Sequence, residues 1–323
     1  MVRIAVIGLG NISIRHRRNI RQLYPSACIY GMSASGHLPG ETVSDCDFLV
    51  SSIEELVKYQ VDFAIIASPA TSHAAHAIPL IRAGIPVLIE KPVAASVDDC
   101  NAISEASKQH NTPVAVAYCL RYLSSASVVK NLLGTQTIGR LYNALVEVGQ
   151  YLPDWRPGKD FRNSVSARAE LGGGVLLELS HEFDYIQWLL GPLIVEHAML
   201  RSSIELGLSV EDVADVVVTS TSGAVVSIHL DFLQRKAHRK SRFIGSDGTL
   251  EWDLVQNSVT LISAEGIEVI YCEPDWDKNQ MYLNMITDFV AHIHQAENRI
   301  IDIDFATRTV ELIEKIKADA LVR

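Results

Sequence analysis

Residues 2–13 read VRIAVIGLGNIS, and this stretch decides the fold of the chain. A short apolar run leads directly into Gly8-Leu9-Gly10, the order of a strand followed by a dinucleotide-binding βα turn. In such a turn the first glycine permits a tight bend, the second lets backbone approach a pyrophosphate, and the next helix N-terminus supplies N–H donors. The third glycine position holds Ser13, which is small but weakens the fingerprint. A plain tight turn is the alternative. We expect four residues to contact the pyrophosphate: Gly8, Gly10, Asn11 and Ile12.

The next hundred residues alternate between short apolar runs and helical patterns. We expect strands at Ile4–Ile7, Ala27–Gly31, Phe63–Ala67, Val87–Ile89 and Val114–Tyr118. We expect helices around Ile53–Tyr59, Ser72–Ala83 and Val97–His110. This rhythm predicts an α/β Rossmann domain over residues 1–119, with a doubly wound parallel sheet whose ligands bind at the carboxyl ends of the strands.

A second domain is predicted over residues 120–323, because several segments there alternate apolar and polar positions between glycine turns. The expected strands are Leu141–Val148, Val213–Ser220, Ala224–Leu230, Arg242–Gly245, Thr249–Trp252 and Val259–Ser263. Two closing helices are expected at Asp277–Gln295 and Ala306–Ala320. This pattern is typical of an antiparallel sheet with one covered face, and the other face needs a partner surface. We therefore expect a homo-oligomer, a dimer or a tetramer.

Composition restricts the classes of partner and compartment. The formal net charge is −10, which disfavours nucleic acid as a partner. No apolar run reaches the roughly 20 residues that span a membrane, and the first strand leaves no room for a signal peptide. The five cysteines are scattered without metal or redox spacing, and the histidines do not cluster. We expect a cytoplasmic protein with reduced thiols and no metal.

Residues 172–191, GGGVLLELSHEFDYIQWLLG, combine a glycine turn with an amphipathic pattern. One helical face would be apolar, with Val175, Leu179, Phe183, Ile186 and Leu190. The opposite face would carry Glu178, His181, Tyr185 and Trp188. This pattern predicts a helix that forms one wall of a small-molecule site, although a solvated surface helix fits the same spacing.

Lys91 follows the apolar run Val87–Ile89 and Glu90, and Pro92 ends that strand. A lysine presented at such a strand end can donate a hydrogen bond to a substrate hydroxyl or carbonyl. The alternative is a lysine that extends into solvent at a strand end.

Jointly, these motifs resemble the glucose–fructose oxidoreductase/inositol dehydrogenase family (Gfo/Idh/MocA). The matching stretches are Gly8-Leu9-Gly10, Ser68-Pro69 with His73, Glu90-Lys91-Pro92, Arg121-Tyr122, Ile138-Gly139 and Gly172–Gly191. The resemblance covers nearly the whole chain in the right order. It implies an NAD(P)-dependent oxidoreductase acting on sugars or cyclitols, and a C-terminal α/β domain with an open, mostly antiparallel sheet that often mediates oligomerisation.

The resemblance also implies roles for individual residues. Lys91 would be the catalytic lysine, His181 the general acid/base, and Asp184 the aspartate often found three residues later. Glu90 would help to hold the nicotinamide-ribose region. The other expected cofactor contacts are Ser33, Ser68, Pro69, His73, Lys91 and Arg121.

Two departures from the family pattern matter. Many members place Asp or Asn four residues before the histidine, where this chain has Leu177, so Glu178 is a less secure catalytic candidate. No carboxylate follows the second strand until Glu41, whereas NAD-preferring domains usually place one there for the ribose hydroxyls. Ser33, Ser35 and the arginines of the first helix would accept a 2′-phosphate, which favours NADP slightly over NAD.

The segment Gly149–Arg168 leads from a strand into the His181 helix and carries aromatic and cationic side chains. We expect five of them to contact substrate: Tyr151, Trp155, Arg156, Arg162 and Arg168. Arginines suit carboxylates and phosphates, and the aromatic rings suit sugars. A stabilising surface loop is the alternative. This segment resembles a branch of the family linked to surface-polysaccharide sugars, which favours an acidic or nucleotide-linked sugar substrate. A non-catalytic cofactor-binding relative, or a glycoside-cleaving enzyme that oxidises its substrate transiently, stays open.

Overall fold

The computed structural model describes residues 2–322, which form two compact units. The first unit contains the chain up to Cys119 together with Asn279–Val310. The second contains Leu120–Lys278 and the chain from Glu311 onward. After the second unit the chain returns to the first. The predicted C-terminal domain over residues 120–323 therefore contains a segment, Asn279–Val310, that belongs to the first unit.

The first unit is built on a six-stranded sheet. Its strands are β1 (Arg3–Ile7), β2 (Cys28–Met32), β3 (Phe48–Val50), β4 (Phe63–Ile66), β5 (Val87–Ile89) and β6 (Val114–Val116). Its helices, numbered along the whole chain, are α1 (Asn11–Leu23), α2 (Ile53–Lys58), α3 (His73–Arg82), α4 (Val97–His110) and α8 (Gln280–Ile293). All strand pairs are parallel, in the order β3-β2-β1-β4-β5-β6. This order confirms the predicted Rossmann domain.

The sheet core explains why these segments become strands. Ile4–Ile7 and Phe63–Ile66 are almost completely buried, as expected for parallel strands covered on both faces. Helix α8 completes this unit through its apolar side, where the Phe289 ring meets the Phe63 ring edge-on at 5.7 Å between centroids. The predicted closing helix at 277–295 therefore packs on the first unit.

The second unit contains a nine-stranded sheet and most of the remaining helices. Its strands are β7 (Leu141–Gly149), β8 (Leu193–Arg201), β9 (Val213–Ser220), β10 (Val225–Asp231), β11 (His238–Gly245), β12 (Gly248–Asp253), β13 (Ser258–Ser263), β14 (Gly266–Cys272) and β15 (Leu321–Val322). Its helices are α5 (Ser124–Gly134), α6 (Val175–Glu178) and α7 (His181–Leu190); α9 (Ile303–Asp319) contributes residues to both units. The strand order is β14-β13-β12-β11-β7-β10-β9-β8-β15.

The sheet is mostly antiparallel, as predicted. Only the β7–β10 and β8–β15 pairs are parallel. Burial alternates along β9 and β10, so one face of these strands is buried and the other is partly exposed. The partly exposed face carries polar side chains that line a groove of about 820 Å³.

No helix within residues 2–322 combines the length and the apolar character needed to cross a membrane. Over the same residues, no cluster of three or more His, Cys, Asp or Glu side chains has a metal-binding arrangement.

Candidate active site

The turn after β1 has the geometry that its glycines predict. Gly8 has φ of +114° and donates its N–H to the Met32 carbonyl oxygen at 2.7 Å. A Cβ atom at this position would collide with the Ala67 carbonyl, so only glycine fits. Ser13 is fully buried and donates its hydroxyl to the same carbonyl at 3.3 Å. The third position of the glycine pattern usually holds a small residue because the helix packs closely on the strand there, and the buried Ser13 is small enough for this packing.

Gly10 leaves space at the start of α1 that an anion can use. A Cβ atom on Gly10 would meet nothing within 4 Å, so the backbone is approachable there. Gly10 caps α1 without a side-chain hydrogen bond, and the first turn of the helix contains no acidic residue. The first N–H groups of a helix have no partner within it and lie at its positive end. Asn11 and Ile12 therefore fit a pyrophosphate.

The arginines of α1 do not gather at the end of β2. Arg17 is buried and donates Nε–H to the Ser44 carbonyl at 2.8 Å, and burial lowers the pKa of its guanidinium. Arg21 pairs with Asp47 at 2.9 Å, and Arg18 lies 3.6 Å from Asp45. These partners precede β3 in the segment 44–47, whereas the loop after β2 is residues 33–37. In that loop the Ser33 hydroxyl donates to the His37 carbonyl at 2.7 Å.

His73 joins the loops that follow β4 and β5. Its Nε2 lies 2.8 Å from the Ser68 carbonyl oxygen, and its Nδ1 lies 3.1 Å from the carbonyl oxygens of Pro92 and Val93. His73 is 1% exposed, and this burial lowers the pKa of its imidazole. A neutral imidazole donates from one nitrogen at a time. The structure thus places His73 inside the loop framework beside Ser68 and Pro69; its contact with a cofactor stays a prediction.

Glu90 and Lys91 lie directly after β5, at the same edge of the sheet as the glycine turn. Lys91 is half-buried, whereas Glu90 is buried. One Glu90 oxygen accepts the Lys91 backbone N–H at 3.1 Å, and the other lies 2.7 Å from Nε2 of His16. His16 was not predicted. Its only sequence signal is its position three residues after Ser13 on the buried face of α1.

The segment 172–191 differs from the expected single helix. It forms α6 and α7, separated by Leu179 and Ser180. Gly174, with φ of +104°, passes so close to the Glu211 carboxylate that a side chain there would collide with it. All residues from His181 to Gln187 are buried. The prediction of one apolar face and one polar wall was wrong, because α7 is enclosed on nearly every side.

The polar side chains of α7 therefore bond inside the unit. The Tyr185 hydroxyl lies 2.9 Å from that of Ser241, and its ring meets Trp252 edge-on. Glu182 has no exposed surface and accepts hydrogen bonds from Arg239 at 2.9 and 3.2 Å.

Asp184 and Arg121, one a catalytic and the other a cofactor-binding candidate, bond to each other. Arg121 donates to both carboxylate oxygens at 2.6 and 2.8 Å, and the two side chains are 10% and 1% exposed. Burial raises the pKa of Asp184 to about 6, against the opposing attraction of Arg121. The Arg121 guanidinium also lies 5.5 Å from the centroid of the Trp188 ring.

His181 is the first residue of α7 and is 8% exposed. Glu178, another catalytic candidate of this segment, ends α6 and accepts a hydrogen bond from the Ser166 hydroxyl at 3.1 Å. This bond connects the predicted substrate segment, which contains Ser166, with α6, the helix before His181.

Both aromatic side chains of the predicted substrate segment, Tyr151 and Trp155, contact other residues of the protein. Trp155 donates its indole N–H to the Gln150 carbonyl at 3.1 Å and meets the Phe232 ring edge-on. Arg235, which was not predicted, lies 3.6 Å from the centroid of the Tyr151 ring.

The three arginines of this segment differ in their partners. Arg168 bonds to Glu170 at 2.6 Å, and Arg162 lies 3.6 Å from Asp160. Arg156 forms no ion pair with any of the residues 2–322. Among the described residues, it is the one of these three arginines without an acidic partner.

Comparison with known proteins identifies the family. The family model described as the oxidoreductase family with an NAD-binding Rossmann fold matches residues 2–118. The Gfo/Idh/MocA C-terminal domain model matches residues 127–251. The chain belongs to the Gfo/Idh/MocA family of oxidoreductases. This Gfo/Idh/MocA protein accordingly has an NAD-binding domain.

Individual relatives act on sugars or related compounds. The 1,5-anhydro-D-fructose reductase of Ensifer adhaerens is 28% identical over 233 residues, which cover 70% of this chain and 68% of that protein. Levoglucosan dehydrogenase in complex with NADH and levoglucosan shares the fold with a TM-score of 0.85 at 17% identity, over 98% of this chain and 96% of that one. The WlbA dehydrogenase of Bordetella pertussis, in complex with NADH and UDP-GlcNAcA, has a TM-score of 0.81 at 20% identity, over 98% and 95%.

Proposed function

We propose that this protein transfers a hydride between a secondary alcohol of a sugar and a nicotinamide dinucleotide. The observation that carries the proposal is Lys91, which follows β5 at the same sheet edge as the glycine turn of Gly8 and Gly10. Ligands of doubly wound sheets bind at this edge. The half-buried Lys91 would therefore face the reactive end of a dinucleotide that lies on the turn.

Lys91 and His181 divide the acid–base work in this proposal. The Lys91 ammonium donates a hydrogen bond to the reacting hydroxyl and stabilises negative charge on its oxygen. His181 accepts the hydroxyl proton during oxidation and returns it during reduction. The bound nicotinamide supplies the hydride acceptor or donor at the reacting carbon. Asp184, paired with Arg121, would hold the first turn of α7 and thereby orient His181.

An acidic or nucleotide-linked sugar is the substrate class that we propose. Arg156 supports it, because its guanidinium forms no ion pair among the described residues and suits a carboxylate or phosphate. The UDP-GlcNAcA bound by WlbA, a structural relative, is an example of such a compound.

A slight preference for NADP over NAD is part of the proposal, and comparison of the NADPH and NADH dissociation constants tests it. Three of the four arginines of α1 already have partners in 44–47, so the main support for a 2′-phosphate comes from the hydroxyls of Ser33 and Ser35.

We further propose a cytoplasmic homo-oligomer that associates through the partly exposed face of the nine-stranded sheet. That face is half-covered within one chain, and all five cysteines are free thiols. Size-exclusion chromatography with light scattering tests the association.

The test of the reaction begins with fluorescence titration of NADH and NADPH, followed by nucleotide-linked, acidic and neutral sugars with the better cofactor. Lys91→Ala and His181→Ala should each lower kcat by about 10²–10⁴-fold while cofactor binding survives. Lys58→Ala and His110→Ala change exposed residues of the same types and serve as controls.

Three results would contradict the proposal. Wild-type turnover in both Lys91→Ala and His181→Ala would show that these two residues are not the catalytic pair. Cofactor binding without any turnover would favour a non-catalytic relative. Cleavage of a glycoside without net NADH or NADPH formation would favour transient oxidation.

A further inference from the structure

A buried histidine on α1 contacts the residue that precedes Lys91. The His16 side chain has no exposed surface, and that of Glu90 is 10% exposed. Nε2 of His16 lies 2.7 Å from Oε1 of Glu90, and Oε2 of Glu90 accepts the backbone N–H of Lys91 at 3.1 Å. The Glu90 carboxylate therefore bridges an imidazole and the Lys91 backbone.

The bridge fixes the carboxylate for a simple chemical reason. A carboxylate in its ionised form only accepts hydrogen bonds, so Nε2 of His16 is the donor to that form of Glu90. A buried carboxylate that lost this donor would have to move toward water or another donor. Nδ1 of His16 has no hydrogen-bond partner among residues 2–322, so the polar bonding of His16 is directed at Glu90. The edge of the ring packs against Tyr282, with the centroids 6.2 Å apart.

The contact also joins two functional segments that are far apart in sequence. His16 lies on the second turn of α1, whose first turn begins at Asn11 and Ile12, the residues proposed to contact the pyrophosphate. Glu90 lies at the end of β5. A single buried contact thus connects the helix that would hold the cofactor with the strand end that presents Lys91.

We propose that His16 is a positioning residue, which acts through Glu90 to hold Lys91 in register with the bound cofactor. The proposal rests on the proposed role of Lys91 in the reaction. It predicts that loss of the His16 donor lowers kcat more than it weakens cofactor binding, since a displacement of about 1 Å can cost 10²-fold in rate.

Two substitutions at this position separate positioning from packing. His16→Met keeps a long side chain but removes the donor, whereas His16→Gln keeps an N–H donor near the position of Nε2. We expect kcat of His16→Met to fall by about tenfold or more with the NADH Kd within about threefold, and His16→Gln to recover most of the rate. Ile20→Val, one turn later on the buried face of α1, controls for loss of packing.

A second measurement does not depend on turnover. Hydrogen–deuterium exchange of the Lys91 amide, which donates to Glu90, should accelerate in His16→Met but not in His16→Gln or Ile20→Val. Absence of sugar oxidation by the wild-type protein would refute the proposed function and leave this comparison to decide the role of His16. Unchanged exchange and kcat in His16→Met, or equal damage in His16→Gln, would overturn the positioning role.

Discussion

Substitution of Asp231 should lower the pKa of His229, which lies between two carboxylates on β10 and β9. Nδ1 of His229 is 2.6 Å from Asp215 and Nε2 is 3.1 Å from Asp231. The hydrogen bond with Asp231 is the largest influence, and together the two carboxylates raise the pKa of His229 to about 9 despite its partial burial. We therefore expect His229 to be protonated at neutral pH.

The energetic effect follows from the sign of this shift. A histidine whose pKa is raised in the folded state stabilises the fold fully below its ordinary pKa, about 6.5, and this stabilisation is lost as pH rises through about 9. The full difference would correspond to about 3 kcal/mol. Because 38% of the His229 side chain is exposed, solvent screening reduces the net contribution to about 1 kcal/mol or less.

The assay is an NMR titration of the His229 ring protons between pH 5 and 10. Asp231→Asn should lower the pKa by at least about one unit, because Asp231 is buried and its charge is poorly screened. Asp215→Asn should have a smaller effect, since Asp215 is 45% exposed and also pairs with Arg201. Glu196→Gln, which removes a carboxylate that bonds to Thr219, is the control. A wild-type midpoint below pH 7, or a midpoint unmoved by Asp231→Asn, would refute the reasoning.

Two further predictions concern the candidate site. Burial raises the pKa of Asp184 to about 6, so between about pH 4 and 6 the folded state binds a proton that the unfolded state releases. Wild-type stability should therefore fall as pH rises through that window, and urea unfolding of Asp184→Asn should show a flatter dependence of stability on pH. A steeper dependence in Asp184→Asn would show that the attraction of Arg121 outweighs burial. Arg156→Ala should raise KM for an anionic sugar by about tenfold and leave a neutral sugar unchanged, whereas Arg162→Ala, whose side chain already has an acidic neighbour, should do less; equal effects on both sugars would contradict a charge contact.

Much of the first unit could be predicted from sequence because its signals are local. The turn after β1 could be predicted from adjacent residues: an apolar run, then Gly8 and Gly10 at the spacing that a tight turn needs. The small size of serine alone indicated that Ser13 could replace the third glycine. β3 was missed, since three residues between polar segments give no periodicity to detect.

The second unit shows where local patterns stop being informative. β8 and β14 were not predicted, because their exposed side chains mix charged and apolar residues and neither strand alternates regularly between buried and exposed positions. The register of these strands depends on partners across the sheet. The return of α8 to the first unit likewise depends on a contact between Phe289 and Phe63, more than 200 residues apart.

The site residues divide in the same way. Lys91 could be singled out because its neighbours Glu90 and Pro92 are adjacent to it in sequence. His16 could not, because its importance comes from Glu90, 74 positions later. A pair of this kind leaves no mark in spacing, and only the folded sheet edge brings it together.

Helix α7 shows why a polar stripe is a poor guide to a binding wall. Most buried polar groups are hydrogen-bonded, so a helix enclosed on nearly every side can carry acids and hydroxyls whose hydrogen-bond partners lie inside the protein. Glu182 with Arg239 and Tyr185 with Ser241 are such pairs, and on a helical projection they look like a site. Because those side chains already have partners within the unit, substitution there should act first on stability. His181 is the first residue of α7, and the acid–base role that we propose for it rests on its match to the histidine of the family pattern.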